Sequence, residues 1–467
     1  MENQIHRLYL QFLGAAREVT GSKILLSYKN KRLLIDCGLY QGFKELRKLN
    51  REDIPEVKNL DAVIITHAHI DHSGYLPRLV KQGFEGDIYC TKETAALMEV
   101  LLIDAAHLEE EDAEYTNKKG YSVHKPAIPL FNLKDVEKVL KLIKIIPREK
   151  WHDLTQGLSF QLLRSGHLLG SSFVQVSFDN GKNQKLVTFS GDLGSDRSNI
   201  LKGPVYINES DFLVLEATYG DKVHHIETIE KTLISSIDYI YRHRGVLVIP
   251  AFAVGRTQEL LYLLNKLEEE KKIPHIPLYI DSPMALKATD IYTKFKDDLK
   301  LVEDEKKFIT SMDESRFKAI TTPQESKKLG TMSGPFIVIS AAGMLTGGRV
   351  LHHLKGRLPH RENAVLFVGF QAHGTKGRLL VNGIDRIQIH HEPVAVRAEV
   401  FSIEGLSAHA DSKEIVDWLR HFSKYPTKIL LNHGERDALN ALKYRIINEL
   451  GIQDVVIPQL GDKFILE

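Results

Sequence analysis

The stretch Thr66-His67-Ala68-His69-Ile70-Asp71-His72-Ser73-Gly74 places three imidazoles and a carboxylate within six residues, directly after the apolar run Ala62-Val63-Ile64-Ile65. An apolar run that ends in such a cluster reads as a strand delivering a metal-binding loop to the start of a helix. Imidazole nitrogens and carboxylate oxygens suit zinc and its first-row neighbours. Four such donors in one loop exceed what a single ion is expected to take, so the loop predicts two metals. A polar turn with solvated histidines is the bland alternative.

Working outward, the residues before the loop read as short strands, at 8–13, 23–28 and 32–36, separated by Gly or Asn-Lys turns. A strand at 62–66 and a helix from about Ser73 frame the loop itself. Residues 106–119, with Glu109-Glu110-Glu111-Asp112, read as a solvated helix face. Further strands are expected at 160–164, 173–178 and 185–190. From about Asp211 the rhythm becomes strand, helix, strand, helix. Apolar runs at 212–216, 245–250, 277–281, 335–340 and 364–369 alternate with helical periodicity at 226–241, 257–271, 285–296 and 348–358, the pattern of a largely parallel sheet covered by helices. The charged segment 297–328 reads as a surface excursion. A helix at 412–422, a strand at 428–432, a helix at 436–450 and two terminal strands close the sequence.

Composition bounds the rest. A chain of 467 residues is too long for one ordinary core. With 43% hydrophobic and 26% charged residues it has the make-up of a soluble protein. The formal net charge of +1 gives no global field for a polyanion, which would have to meet a local basic patch. Two cysteines, Cys37 and Cys90, exclude a disulfide framework and a Cys-rich zinc module. The N-terminus has no signal-length apolar segment and no run of about 18 apolar residues occurs, so a cytoplasmic protein with no membrane partner is expected.

Three further residues sit at strand-end loops beside glycine: His167 in Ser165-Gly166-His167-Leu168-Leu169-Gly170-Ser171, Asp192 in Ser190-Gly191-Asp192-Leu193-Gly194, and His433 in Asn432-His433-Gly434. Each alone also reads as a turn residue. With the opening loop they form a set that resembles the metallo-β-lactamase superfamily, which carries Asp36, His67-x-His69-x-Asp71-His72, His167, Asp192 and His433 in this order. The resemblance implies an αββα sandwich, one zinc on His67, His69 and His167, a second on Asp71, His72 and His433, and Asp192 bridging the two ions. Asp36 would buttress the loop. Two such ions share and acidify a water, so hydrolysis is the expected reaction.

The second half narrows the resemblance. Leu215-Glu216-Ala217-Thr218-Tyr219-Gly220, the stretch from Phe401 to Asp411 that contains His409, and the segment around His433 resemble the extra motifs of the β-CASP branch, which processes nucleic acids. Pro250-Ala251-Phe252-Ala253-Val254-Gly255-Arg256, Asp281-Ser282-Pro283 and Ala342-Gly343-Met344-Leu345-Thr346-Gly347-Gly348-Arg349 are also similar to it. Ala217 departs from the serine often found there. The resemblance is strongest to RNA-cleaving members. It implies a β-CASP domain over residues 210–412 inserted between residues 1–209 and 413–467 of the sandwich, an RNA substrate, and His409 acting as general acid oriented by Glu216, with Asp71 and Asp192 completing the catalytic set. A homodimer is an assembly it allows.

Glycine-rich strand-to-helix turns expose backbone N–H groups suited to phosphate. Arg256, Ser282, Gly343 and Arg349 are therefore the candidate RNA contacts; the bland alternative is that these glycines only permit tight turns. His373, His390 and His391 read as structural. A DNA nuclease of the same branch is the nearest rival, although His433 at the third motif goes with RNA in the family. A small-molecule hydrolase leaves the long insertion unexplained, and a scaffold that has lost its metals is opposed by the complete ligand set.

Overall fold

The computed structural model describes residues 7–54, 57–119, 126–224, 227–296, 298–301, 317–369, 371–403 and 405–467. The chain divides into two compact units, one of residues 1–197, 203–223 and 409–467, the other of residues 198–202 and 224–408.

The first unit is built on two seven-stranded sheets. Edge to edge, the first runs Lys463–Leu466, Leu8–Phe12, Ile24–Tyr28, Lys31–Ile35, Ala62–Ile64, Asp87–Cys90 and Ile143–Ile145. It is antiparallel up to Lys31–Ile35 and parallel beyond. The second runs Val455–Val456, Lys428–Asn432, Phe212–Glu216, Gln184–Phe189, Ser172–Asp179, Leu158–Arg164 and His152–Thr155. Here the first four strands are mutually parallel and the last four antiparallel.

Strand periodicity decides what the sheets cover. Phe212 and Val214 join Leu8, Leu10, Phe12, Phe160, Val174 and Phe178 in one core between the sheets, whereas Leu213 and Leu215 join Ile415, Trp418, Leu439 and Leu442 in a second core under the helices Ser412–Leu419 and Arg436–Leu450. Each fully buried side chain of this size contributes about 1.5–3 kcal/mol, so a one-residue slip of Phe212–Glu216 would cost both cores at once.

By its rhythm the strand Phe212–Glu216 reads as part of the inserted domain. It instead pairs between Gln184–Phe189 and Lys428–Asn432, and residues 210–223 pack with the sandwich, as do His409–Ser412 at the return. A doubly covered parallel strand has the same apolar sequence in either sheet, which is why its pairing partner was not legible.

In the second unit a six-stranded, wholly parallel sheet runs Phe317–Ala319, Leu278–Ile280, Phe336–Ser340, Val246–Pro250, Ala364–Val368 and Glu399–Ile403. A hairpin, Arg386–Ile389 with Glu392–Ala395, lies outside it. Helices Glu227–His243, Arg256–Glu269, Pro283–Lys294 and Val350–Arg357 alternate with the strands. Half of the expected surface excursion, residues 297 and 302–316, lies outside the described residues, and the rest includes the strand Phe317–Ala319 and the start of the capped helix Pro323–Thr331. Phe370 and Glu404 of the quoted motifs also lie outside them.

Candidate metal centre

All the metal-ligand candidates emerge at one end of the sandwich, because each follows the C-terminal end of a strand of the first unit. Asp36 follows Lys31–Ile35, the histidine loop follows Ala62–Ile64, His167 follows Leu158–Arg164, Asp192 follows Gln184–Phe189, and His433 follows Lys428–Asn432. Register aligns these exits: Ile35 pairs with Ile64, and Glu216 with Asn432. Close approach requires glycine at two places. A Cβ on Gly38 would lie 1.5 Å from the Asp71 carbonyl oxygen, and one on Gly194 would lie 2.1 Å from the Gly166 carbonyl carbon.

The donor atoms form two sets. In the first, Nδ1 of His69 lies 3.2 Å from Nε2 of both His67 and His167, and Oδ2 of Asp192 lies 3.3 and 3.4 Å from those same two nitrogens. Donor atoms at such spacings can converge on a common point at close to the length of a zinc–imidazole bond, about 2.0–2.1 Å. In the second, Nε2 of His72 lies 3.1 Å from Nε2 of His433 and 3.2 Å from Oδ1 of Asp192, and Nε2 of His433 lies 3.6 Å from Oδ2 of Asp71. The two oxygens of Asp192 thus serve different sets. Oδ1 of Asp192 and Nδ1 of His167 are buried without a hydrogen-bond partner, a state that costs several kcal/mol for a carboxylate unless a cation meets it. The residues fit a metal.

The opposite edges of three of the imidazoles, His67, His72 and His433, are held by hydrogen-bond partners. A carboxylate can only accept, so His72 donates from Nδ1 to Oδ2 of Asp36, 2.7 Å away, which turns its Nε2 towards the donor set. Thr66 relays the same carboxylate: its hydroxyl donates to Asp36 at 3.0 Å and lies 3.0 Å from Nδ1 of His67. The Thr218 hydroxyl lies 3.1 Å from Nδ1 of His433. Thr66 and Thr218 were quoted within motifs but given no role in the sequence reading; their position beside a ligand histidine was the available signal.

Electrostatics agree with a cation site. Burial, with neighbouring imidazoles, lowers His67 and His167 and pushes His69 down to about 3, so these rings are neutral and can donate lone pairs. Burial alone would also lower His72, but Asp192 and Asp36 outweigh it and raise it well above the ordinary histidine value. Burial opposes ionisation of Asp71 and Asp192; the His433 hydrogen bond at Asp71, and His72 with His433 at Asp192, nevertheless hold both well below the usual carboxylate range.

Beside the two sets stands a carboxylate–imidazole pair. Oε1 of Glu216 lies 2.9 Å from Nδ1 of His409 and accepts the Leu193 N–H at 2.8 Å, while Oε2 accepts the Thr218 N–H at 3.0 Å. His409 is brought there by backbone pairing, since Ala410 N–H donates to the Leu193 carbonyl next to Asp192. Its Nε2 lies 4.0 Å from Oδ2 of Asp192 and its ring centroid 4.4 Å from that of His167. Burial disfavours its charge, but Glu216 and Asp192 raise its pKa to about 9.

The phosphate candidates belong to the second unit and have internal tasks. Arg349 donates to Oδ1 of Asp281 at 2.8 Å and to the carbonyls of Ile320 and Thr321 at 3.3 and 3.0 Å. The bidentate charge expected for phosphate is therefore committed to a buried carboxylate, which Ser326 and His353 also contact. Ser282 is buried and caps helix Pro283–Lys294 through the Ala285 N–H. A Cβ on Gly343 would lie 3.0 Å from the Phe252 nitrogen, so this glycine serves a close turn. Arg256 opens helix Arg256–Glu269 after Gly255, half-buried.

The centre is that of a metallo-hydrolase, and comparisons with known families agree. The model described as the metallo-β-lactamase superfamily matches residues 18–240, the Beta-Casp domain residues 257–380, and the Zn-dependent metallo-hydrolase RNA specificity domain residues 393–458. The chain belongs to the β-CASP ribonuclease family of the metallo-β-lactamase superfamily. It is 35% identical over 443 residues to Ribonuclease TTHA0252 of Thermus thermophilus, covering 92% of this chain and 94% of that protein. It is 31% identical to Transcription termination factor FttA of Methanocaldococcus jannaschii, with 91% of this chain and 67% of that one covered. A crystal structure titled as a protein of unknown function from Enterococcus faecalis V583 superposes with a TM-score of 0.53 at 12% identity, over 98% of this chain and 100% of that one, a likeness of fold alone.

Proposed function

We propose that the chain is a zinc-dependent ribonuclease that binds two zinc ions and hydrolyses RNA phosphodiester bonds. One observation carries the reading: the Asp192 carboxylate stands between two complete donor sets, and the Glu216–His409 pair stands beside it. His67, His69, His167 and Asp192 would hold one ion; Asp71, His72, His433 and Asp192 would hold the other. When bound, such ions neutralise phosphate charge and acidify water. The chain's own residues supply the rest. Asp36 and Thr66 keep the imidazoles aimed. Glu216 fixes Nδ1 of His409, leaving Nε2 to hand a proton to the departing ribose oxygen.

The name of Ribonuclease TTHA0252 supports RNA as substrate, and the FttA relatives are named as transcription termination factors. Among the described residues no helix is long and apolar enough to cross a membrane. Two free, buried cysteines support a cytoplasmic setting.

The test incubates zinc-loaded protein with RNAs labelled at either end and bearing a 5′ hydroxyl, monophosphate or triphosphate, beside DNA of matched sequence. Product ladders on RNA, with two zincs per chain by metal analysis, are expected. Absence of RNA cleavage by fully loaded protein overturns the reading, and preferential cutting of DNA replaces it with that of a DNA nuclease.

A further inference from the structure

The hairpin of the second unit turns through His390 and His391, both left-handed with φ of 50° and 64°. A two-residue turn with both central residues at positive φ favours Asn-Gly, and an ordinary side chain there costs about 1–2 kcal/mol per residue. Histidine is tolerated at positive φ better than most side chains, but two in succession remain a costlier choice than Asn-Gly. The exposed His390 ring stacks on His352 of helix Val350–Arg357, with centroids 4.6 Å apart and planes at 28°.

Three lysines, Lys327, Lys355 and Lys376, are near enough to this stack to act on its charge. Burial, then Lys355 and Lys376, lower the pKa of His390, while Glu392 opposes them and His391 adds to them. Burial, His390, His353, Lys355 and Lys327 lower that of His352. Glu392 and Lys355 pair with each other at 2.8 Å, which leaves Lys376 and Lys327 as the further cations acting on the rings. The position is that of a ligand edge. Helix Val350–Arg357 and Lys376, which opens helix Lys376–Val381, both follow the carboxyl ends of parallel strands, Phe336–Ser340 and Ala364–Val368.

We propose that His352, His390 and His391, with Lys327, Lys355 and Lys376, form an RNA-binding patch on the second unit, where phosphates meet the lysines and an unpaired base stacks on the imidazoles. It rests on RNA being the substrate.

Anisotropy of a labelled, cleavage-resistant 2′-O-methyl RNA with the zinc-loaded full chain, titrated over a range of salt, tests this. H390N/H391G preserves the turn chemistry and removes two rings; affinity is expected to fall about fivefold or more. K327Q/K376Q is expected to reduce the slope of log Kd against log salt by roughly 1.4, or 0.7 per lysine. Unfolding midpoints and zinc content establish that both variants are folded. Unchanged affinity and slope in both overturn the patch, whereas a wild-type protein that does not cleave RNA defeats the ribonuclease reading instead.

Discussion

Asp36 governs two ligand imidazoles with one carboxylate: Oδ2 meets Nδ1 of His72 at 2.7 Å, and the Thr66 hydroxyl, hydrogen-bonded to the same group, meets Nδ1 of His67 at 3.0 Å. Because His67 belongs to one donor set and His72 to the other, losing this carboxylate should loosen both.

Asp36→Asn is therefore expected to weaken zinc binding by about 10–100-fold. Competition with a fluorescent chelator measures it. Loss at one ion only would show that Thr66 does not carry the effect.

Replacement of Glu216 by Gln keeps the shape of the group that His409 meets and removes its charge. E216Q and H409A are each expected to lower kcat on RNA by roughly 10²–10⁴-fold with zinc content intact. The double variant should lose little more than either alone, since the two act as a unit. Additive losses in the cycle would separate them.

Arg349 distinguishes an internal ion pair from an RNA contact. R349A leaves the Asp281 carboxylate buried without its guanidinium, at a cost on the order of 3 kcal/mol read as a lower unfolding midpoint. A variant with unchanged stability and a raised KM would return Arg349 to the RNA.

Lys23 gives a pH signature. Its ammonium is buried between the rings of Tyr40 and Tyr75, 4.7 and 4.9 Å from their centroids, and burial lowers its pKa to about 8 from 10.5. Below pH 8 the lysine is charged in both folded and unfolded chains and the burial penalty is fully present. Between 8 and 10.5 the unfolded chain holds more protons, so stability rises with pH through that window. K23M removes the group: its stability relative to wild type should decline from pH 8 to 10.5, as chemical denaturation can show. A pH-independent difference would contradict the buried ammonium.

Much of this was legible in the sequence, and the failures share a cause. The ligands could be found because each is a rare donor at the end of an apolar run. Strand identity at 212–216 was also legible, but its membership in the sandwich was not, because residues 428–432 that flank it lie far along the chain. The same holds for Arg349, whose Gly-Gly-Arg setting suggests an anion while its partner Asp281 is 68 positions away. The strands Asp87–Cys90, Ile143–Ile145 and His152–Thr155 are too short to stand out in the sequence, and the last two, at the sheet edges, also lack a buried alternation.

The pairing of Phe212–Glu216 with Lys428–Asn432 also sets an order of events during synthesis. A ribosome must add roughly two hundred residues after the first of these strands before the second emerges, and domains form as their segments become available. Until then His433 is absent and one donor set is open. A nascent chain therefore carries an unfinished nuclease past the messenger that encodes it, and becomes competent only after His433 has been made and Lys428–Asn432 has paired.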